Sequence, residues 1–136
     1  MEPEPGVAPE HRPGSAVAQL QLDPATFQRS KLDWDELGRP GHAEMLELHR
    51  RLIALRRSRA DLSNPRLDQV QVWHGDQYVV MRRGDCAVAV NLAPVPQTIS
   101  LRAVPRSVLL ATEQGVVLQR DRVELPPETA VVVAFR

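Results

Sequence analysis

Acidic and aromatic side chains concentrate between residues 23 and 36, in the segment DPATFQRSKLDWDE. Asp33, Asp35 and Glu36 offer carboxylates, the groups that serve as acid and as nucleophile or base in glycoside hydrolysis. Such pairs normally come from separate elements that fix their spacing, whereas these three share one loop, so a polar loop is the favoured interpretation. An indole such as Trp34 can stack on a sugar ring, but packing of the loop on a core is favoured.

Histidine and cysteine give little support for metal or nucleophilic chemistry. His42 and His49 are seven residues apart, while metal-binding pairs on helices usually stand four apart. His11 and His74 fall in a Pro-rich segment and at a turn. Cys86 alternates with valines and is expected to be a small buried hydrophobe. We therefore predict no metal, no cofactor and no catalytic cysteine, and motifs such as G-x-G-x-x-G, the P-loop or G-x-S-x-G are not found.

The bulk composition of the 136 residues is neutral, with 17 basic and 17 acidic side chains. This balance predicts no nucleic-acid partner. The basic residues at one end of a predicted helix are interpreted as a solvated face or one buried against a larger partner; they are Arg50, Arg51, Arg56, Arg57 and Arg59. A single cysteine, no membrane-length apolar run and no recognisable secretion signal lead to an expected cytoplasmic location.

The chain divides by composition into three predicted regions. Residues 1–22 are rich in proline and are expected to form a disordered tail. Residues 23–62 are expected to hold an irregular loop, with one helical turn near Trp34, followed by a helix over 42–60. Within that helix Met45, Leu48, Leu52 and Leu55 recur at steps of three and four, which gives an apolar stripe.

Residues 63–136 change to the two-residue period of β-strands. Short segments with this alternation recur between turn residues, and they are VQVWH, QYVVMRR, CAVAVNL, TISLRA, SVLLATE, GVVLQ, RVEL and AVVVAFR. No helices alternate with them, so the pattern favours an antiparallel sandwich or barrel over a parallel sheet. The predicted fold class is mainly β, with a C-terminal antiparallel β-sandwich preceded by one amphipathic helix and an irregular loop.

Four blocks of this sequence resemble the end of the malto-oligosyltrehalose trehalohydrolase family, within the α-amylase-type glycoside hydrolases. They are DPATFQRSKLDW, MLELHRRLIALRRSRADL, CAVAVNLA and VELPPETAVVV, and the resemblance runs from Asp23 to Arg136. It implies that residues 23–62 correspond to the last loop and helix of a TIM barrel. It also implies that the following residues correspond to the C-terminal β-sandwich.

The resemblance implies a chemistry whose residues are missing here. The family releases trehalose from maltooligosyl trehalose with an aspartate nucleophile and a glutamate acid on barrel strands, and an Arg-x-Asp strand is expected. The segment most similar to an Arg-x-Asp strand is LQRDRVE, and it lies in the β region. We therefore assign no catalytic residue and expect the chain alone to be inactive. Because barrel active sites use the βα loops, Lys31, Asp33 and Trp34 are candidate substrate contacts. The expected partner is a missing or separately encoded barrel.

Two alternatives remain open at this level. A free-standing carbohydrate-binding or protein-interaction module would usually present several exposed aromatics, and this chain has few. A complete enzyme would require two convergent carboxylates in a pocket. In all cases the helix around Leu52 has apolar residues on more than one side, which predicts an exposed apolar patch and association or marginal stability.

Overall fold

A computed structural model describes residues 24–136, so the predictions for the tail and for His11 lie outside the described part of the chain. The described residues fall into two compact units, 24–37 and Gly38–Arg136. The first unit holds α1, Pro24–Arg29, and all but the last residue of a 3₁₀ helix, Trp34–Gly38. The turn near Trp34 is confirmed. Helix α1 was not predicted, and its start fits the preference for proline at the first helical position.

Helix α2 spans His42–Ser58 and α3 spans Ala60–Ser63, with an extended residue, Arg59, between them. The predicted helix over 42–60 is therefore confirmed except for this break. At its start the Glu44 carboxylate accepts a hydrogen bond from the Gly41 N–H, which satisfies a free donor of the first turn. At its end the Ser63 hydroxyl donates to the Arg56 carbonyl at 2.6 Å, so an end carbonyl is also satisfied.

Eight antiparallel strands follow a short 3₁₀ helix, Leu67–Gln69, and confirm the predicted β-sandwich. The strands are β1 Val70–His74, β2 Tyr78–Arg83, β3 Cys86–Asn91, β4 Gln97–Ser100, β5 Ser107–Ala111, β6 Val117–Gln119, β7 Arg122–Leu125 and β8 Ala130–Ala134. A five-stranded sheet has the order β1-β2-β3-β8-β5, and a three-stranded sheet has the order β4-β7-β6. Side chains alternate between the two faces of each sheet, and β8, inside the five-stranded sheet, is buried on both faces.

The hydrophobic core lies between the two sheets. Its buried members come from both of them: Trp73, Val80, Ala87, Ala89, Ile99, Leu101, Val123, Leu125, Val131 and Val133. The Trp73 indole N–H donates to the Ser100 carbonyl at 3.0 Å, and the Arg102 guanidinium lies 4.6 Å from the ring centre. One side chain therefore fills the core, bonds across the sheets and keeps its polar edge satisfied.

The opposite face of the five-stranded sheet is also apolar, and its exposure changes from strand to strand. One cross-strand row consists of Val72, Met81, Val88, Val132 and Leu110 in spatial order. Exposure falls along it from 58% at Val72 and 38% at Met81 to 7% at Val132 and 4% at Leu110. Helix α2 contacts β5, so this end of the face is covered and the β1–β2 end is bare.

Candidate functional site

The carboxylates of the 33–36 segment do not form an enclosed catalytic pair. Asp33 Oδ1 accepts a hydrogen bond from the Asp35 N–H at 3.1 Å, which is a local turn contact. Asp33 and Asp35 are exposed, and Glu36 is half-buried.

The other candidate contacts in this segment are exposed as well. The Lys31 ammonium lies 5.1 Å from the centre of the Phe27 ring, a local cation–π contact. Trp34 is 71% exposed, so the interpretation of Trp34 as an anchor packed on a core is wrong for this chain. Its apolar neighbours Phe27 and Leu32 are similarly exposed, because no element within the described part of this unit covers them.

The described histidines and the cysteine lie on three different elements: α2, β1 and β3. His49 Nδ1 stands 2.8 Å from the Met45 carbonyl, one turn back on α2, and His74 is exposed at the end of β1. Within residues 24–136 no group of three or more metal-ligating side chains occurs. Cys86 is buried, as predicted. Burial raises the pKa of its thiol, opposed by Arg59 and reinforced by Asp61 and Asp85.

The main concave feature is a groove of about 1060 Å³ in the second unit. One wall is α2, the floor is formed by the ends of β3, β8 and β5, and loops after β5 and before β8 close one end. The lining residues used below are Met45, Leu48, Arg51, Val90, Ala111 and Ala130, with Glu44, Glu47, Glu113 and Glu128 at the edges. No local sequence pattern predicts this groove, since its lining residues come from four separate segments.

Asn91 organises the sheet end beside this groove. It is fully buried at the end of β3, and its side-chain NH₂ donates to the carbonyls of Val95 and Pro126 at 2.9 and 2.8 Å. Its side-chain oxygen accepts from the Ala93 N–H at 2.9 Å. The only sequence signal was a polar residue in an otherwise apolar strand face. Its role is to hold the β3–β4 loop and the β7–β8 loop together, because its side-chain amide bonds to both of them.

No helix within residues 24–136 combines the length and the apolar character that crossing a bilayer requires.

Comparison with known proteins agrees with the architecture. Malto-oligosyltrehalose trehalohydrolase from Rhizobium sp. (strain M-11) is 42% identical over 120 residues, which are 87% of this chain and 20% of that protein. The Mycobacterium tuberculosis (strain H37Rv) protein of the same name is 42% identical over 97 residues, 70% of this chain and 16% of its own length. This chain thus spans about a fifth or less of the relatives it matches.

Solved structures share the fold at low identity. Trehalulose synthase MutB from Pseudomonas mesoacidophila MX-45 aligns with a TM-score of 0.56 at 16% identity, covering 65% of this chain and 17% of that one. Isomaltulose synthase from Klebsiella sp. LX3 aligns with a TM-score of 0.55 at 20% identity, covering 65% and 17%.

A helix followed by a two-sheet antiparallel sandwich, together with the sequence matches to these relatives, defines the class: a C-terminal domain of the α-amylase family of glycoside hydrolases. Residues 65–133 match the model described as "Domain of unknown function (DUF3459)", and the chain belongs to that family. The resemblance to malto-oligosyltrehalose trehalohydrolase is therefore confirmed.

Proposed function

We propose that this chain is the non-catalytic C-terminal β-domain of a trehalose-releasing glycoside hydrolase that acts on α-1,4-linked glucan chains. One observation carries the proposal: a 42% identity over 120 residues that covers only 20% of the relative. The domain stabilises a barrel and shapes the rim of its active site, and the barrel is supplied by other polypeptide, either attached or separately encoded.

The exposed apolar side chains support the proposed role of stabilising a neighbouring barrel. Met45 and Ile53 on α2 are 54% and 50% exposed, and the bare end of the sheet adds Val72 and Met81. Extensive exposed apolar surface marks an interaction site in soluble proteins. These exposures support the predicted apolar patch, and a neighbouring domain is the simplest cover for it.

The segment around Trp34 is the proposed contribution to the rim. Lys31, Asp33 and Trp34 are all exposed, so an ammonium, a carboxylate and an indole are available to sugar hydroxyls and a sugar face. They act by binding and orienting glucan, while the bond-breaking carboxylates belong to the barrel.

A free-standing sugar-binding module has less support. Of the aromatic side chains of the sandwich, Trp73 is buried and Tyr78 and Phe135 pack against the core. Stacking platforms need open aromatic faces, and among the described residues these occur only at Phe27 and Trp34, outside the sandwich.

A chimera tests the proposal. The matching 120 residues of the Rhizobium relative are replaced by the corresponding residues of this chain, and trehalose release from maltooligosyl trehalose is measured. We expect the chimera to be active, a deletion of the segment to be inactive or insoluble, and the present chain alone to release no trehalose. Turnover by the chain alone, or full activity and stability of the deletion, would refute the proposal.

The rim assignment is tested in the same chimera. Trp34→Ala and Lys31→Ala are expected to raise KM severalfold with little change in folding, because they remove substrate contacts rather than core. Leu67→Ala, an exposed apolar residue remote in sequence from the segment, is the control and should leave KM unchanged. Unchanged KM in both rim variants would contradict the assignment.

A further inference from the structure

The groove between α2 and the five-stranded sheet has the form of a helix-binding site with a charge preference. We infer that it receives an amphipathic helix of another polypeptide, one that carries lysine or arginine along the edges of its apolar stripe. This goes beyond the proposed function, since it concerns the chemistry of the occupant and holds whether or not that polypeptide is a catalytic barrel.

The width of the groove floor fits one helix. Adjacent strands are about 4.8 Å apart, so the neighbouring strands β3, β8 and β5, which line the groove, span roughly 10 Å, about one helix diameter with its side chains. Helix α2 lies beside this floor and contacts β5. A second helix in the groove would lie beside α2 and cover Met45, which is 54% exposed.

The floor of the groove is apolar, which suits the stripe of an amphipathic helix. Met45 and Leu48 line it from α2, and Val90, Ala111 and Ala130 line it from the sheet. Side chains spaced three and four residues apart on an incoming helix would meet both walls at once, as in other helix-in-groove complexes.

The edges of the groove are acidic and supply the charge complementarity. Glu47 lies on α2, while Glu113 and Glu128 lie on the loops at the closed end. None of these three carboxylates forms an ion pair within residues 24–136. Glu44 already accepts from Gly41, and Arg51 is the single basic residue of the lining. The edges therefore favour a cationic helix and disfavour an anionic one.

Labelled peptides test the inference directly. The probe has leucines at helical spacing flanked by lysines, and its partner has every lysine replaced by glutamate. A third peptide has the lysine probe's composition in scrambled order. Fluorescence anisotropy of each is measured against the purified chain at low and at high salt. We expect binding of the lysine probe alone, weakened by salt because the edges are exposed.

Charge-reversal variants show whether the lysine probe binds in the groove. Glu113→Lys combined with Glu128→Lys is expected to weaken the lysine probe about tenfold and to strengthen the glutamate peptide. Asp76→Lys combined with Asp121→Lys makes the same change in net charge at exposed turns that do not line the groove. It should leave both affinities nearly unchanged. Circular dichroism and urea titration confirm that both variants fold.

Three outcomes would overturn the inference: no binding of the lysine probe, equal binding of the scrambled peptide, or the same loss in the control variant. A fourth such outcome comes from sedimentation of the chain without peptide, which measures its oligomeric state. A dimer that dissociates in the Glu113/Glu128 variant would show that a second copy occupies the groove. Failure here leaves the chimera assay untouched, so the two proposals can fail separately.

Discussion

The Asp61 carboxylate accepts a hydrogen bond from the Asp85 backbone N–H at 2.9 Å, joining α3 to the turn between β2 and β3. Gly84, beside it in that turn, has a φ of 56°, and a Cβ there would lie 2.5 Å from Asp61 Oδ1. Helix α3 is thus attached to the sheet by the Asp61 carboxylate, which lies directly against Gly84. Close approach and a left-handed backbone both require that glycine.

A double-mutant cycle measures this attachment. Asp61→Ala should cost about 1–2 kcal/mol in the free energy of unfolding, since it removes a charged acceptor of a half-buried N–H. Gly84→Ala should cost about 2–3 kcal/mol, from backbone strain plus the clash. In the Asp61→Ala background the clash is gone, so Gly84→Ala should cost roughly 1 kcal/mol less. Urea unfolding gives all four values, and strict additivity would mean that the two residues do not interact.

Asn91 should be far more sensitive than its surface neighbours. Asn91→Leu keeps the volume but leaves the Val95 and Pro126 carbonyls and the Ala93 N–H without partners, at about 3 kcal/mol or more. The side chain of the half-buried Asn64 bonds only to Arg66 and Gln69, close by in the sequence, and Asn64→Leu serves as the control with an expected loss below about 1 kcal/mol. Urea midpoints with unchanged m-values check both, and similar losses would contradict the structural role.

The bare apolar surface should be detectable in solution. The purified chain is expected to bind a hydrophobic dye or to associate, because Met45, Ile53, Val72 and Met81 are exposed together with the groove. Met45→Gln with Ile53→Lys should reduce dye binding or association without lowering stability, since neither residue is buried. Val104→Lys, at an exposed apolar residue of a loop, is the control. A monomeric chain that binds no dye would show that the surface is not available.

Cys86 should couple stability to alkaline pH. Its folded-state pKa is raised, chiefly by burial, so above about pH 8.5 the unfolded thiol ionises first and gains stability. The free energy of unfolding should therefore fall as pH rises from about 8.5 towards the folded-state pKa. Cys86→Ala removes this component, so the difference between wild type and variant should change with pH in that window alone. A constant difference would contradict the shift.

Thiol chemistry gives an independent check of the same burial. Native Cys86 should react with a thiol reagent at pH 8 much more slowly than a free thiol, and addition of urea should restore the ordinary rate. Fast native reaction would mean that the β3 end of the sheet opens readily.

The sequence alone determined the local elements and the class of fold. Period-two segments such as CAVAVNL specify strands because alternate side chains must reach opposite faces, and the stripe from Met45 to Leu55 specifies a helix for the equivalent reason at 3.6 residues per turn. The bounds of β1, β2 and β3 match the predicted segments to within a residue or two. These patterns depend only on residues close in sequence, so they can be recognised without knowing which elements pack together.

Tertiary structure decided what each apolar residue meets. Trp34 is large and apolar, as a buried anchor would be, yet it is exposed. Burial depends on whether another element is present to cover the side chain, and local sequence does not show this. Val72 and Leu110 belong to one cross-strand row, and only the proximity of α2 to β5 makes one bare and the other buried. The groove, its acidic edges and the Asn91 network join residues distant along the chain, and such pairings arise only when the strands have assembled.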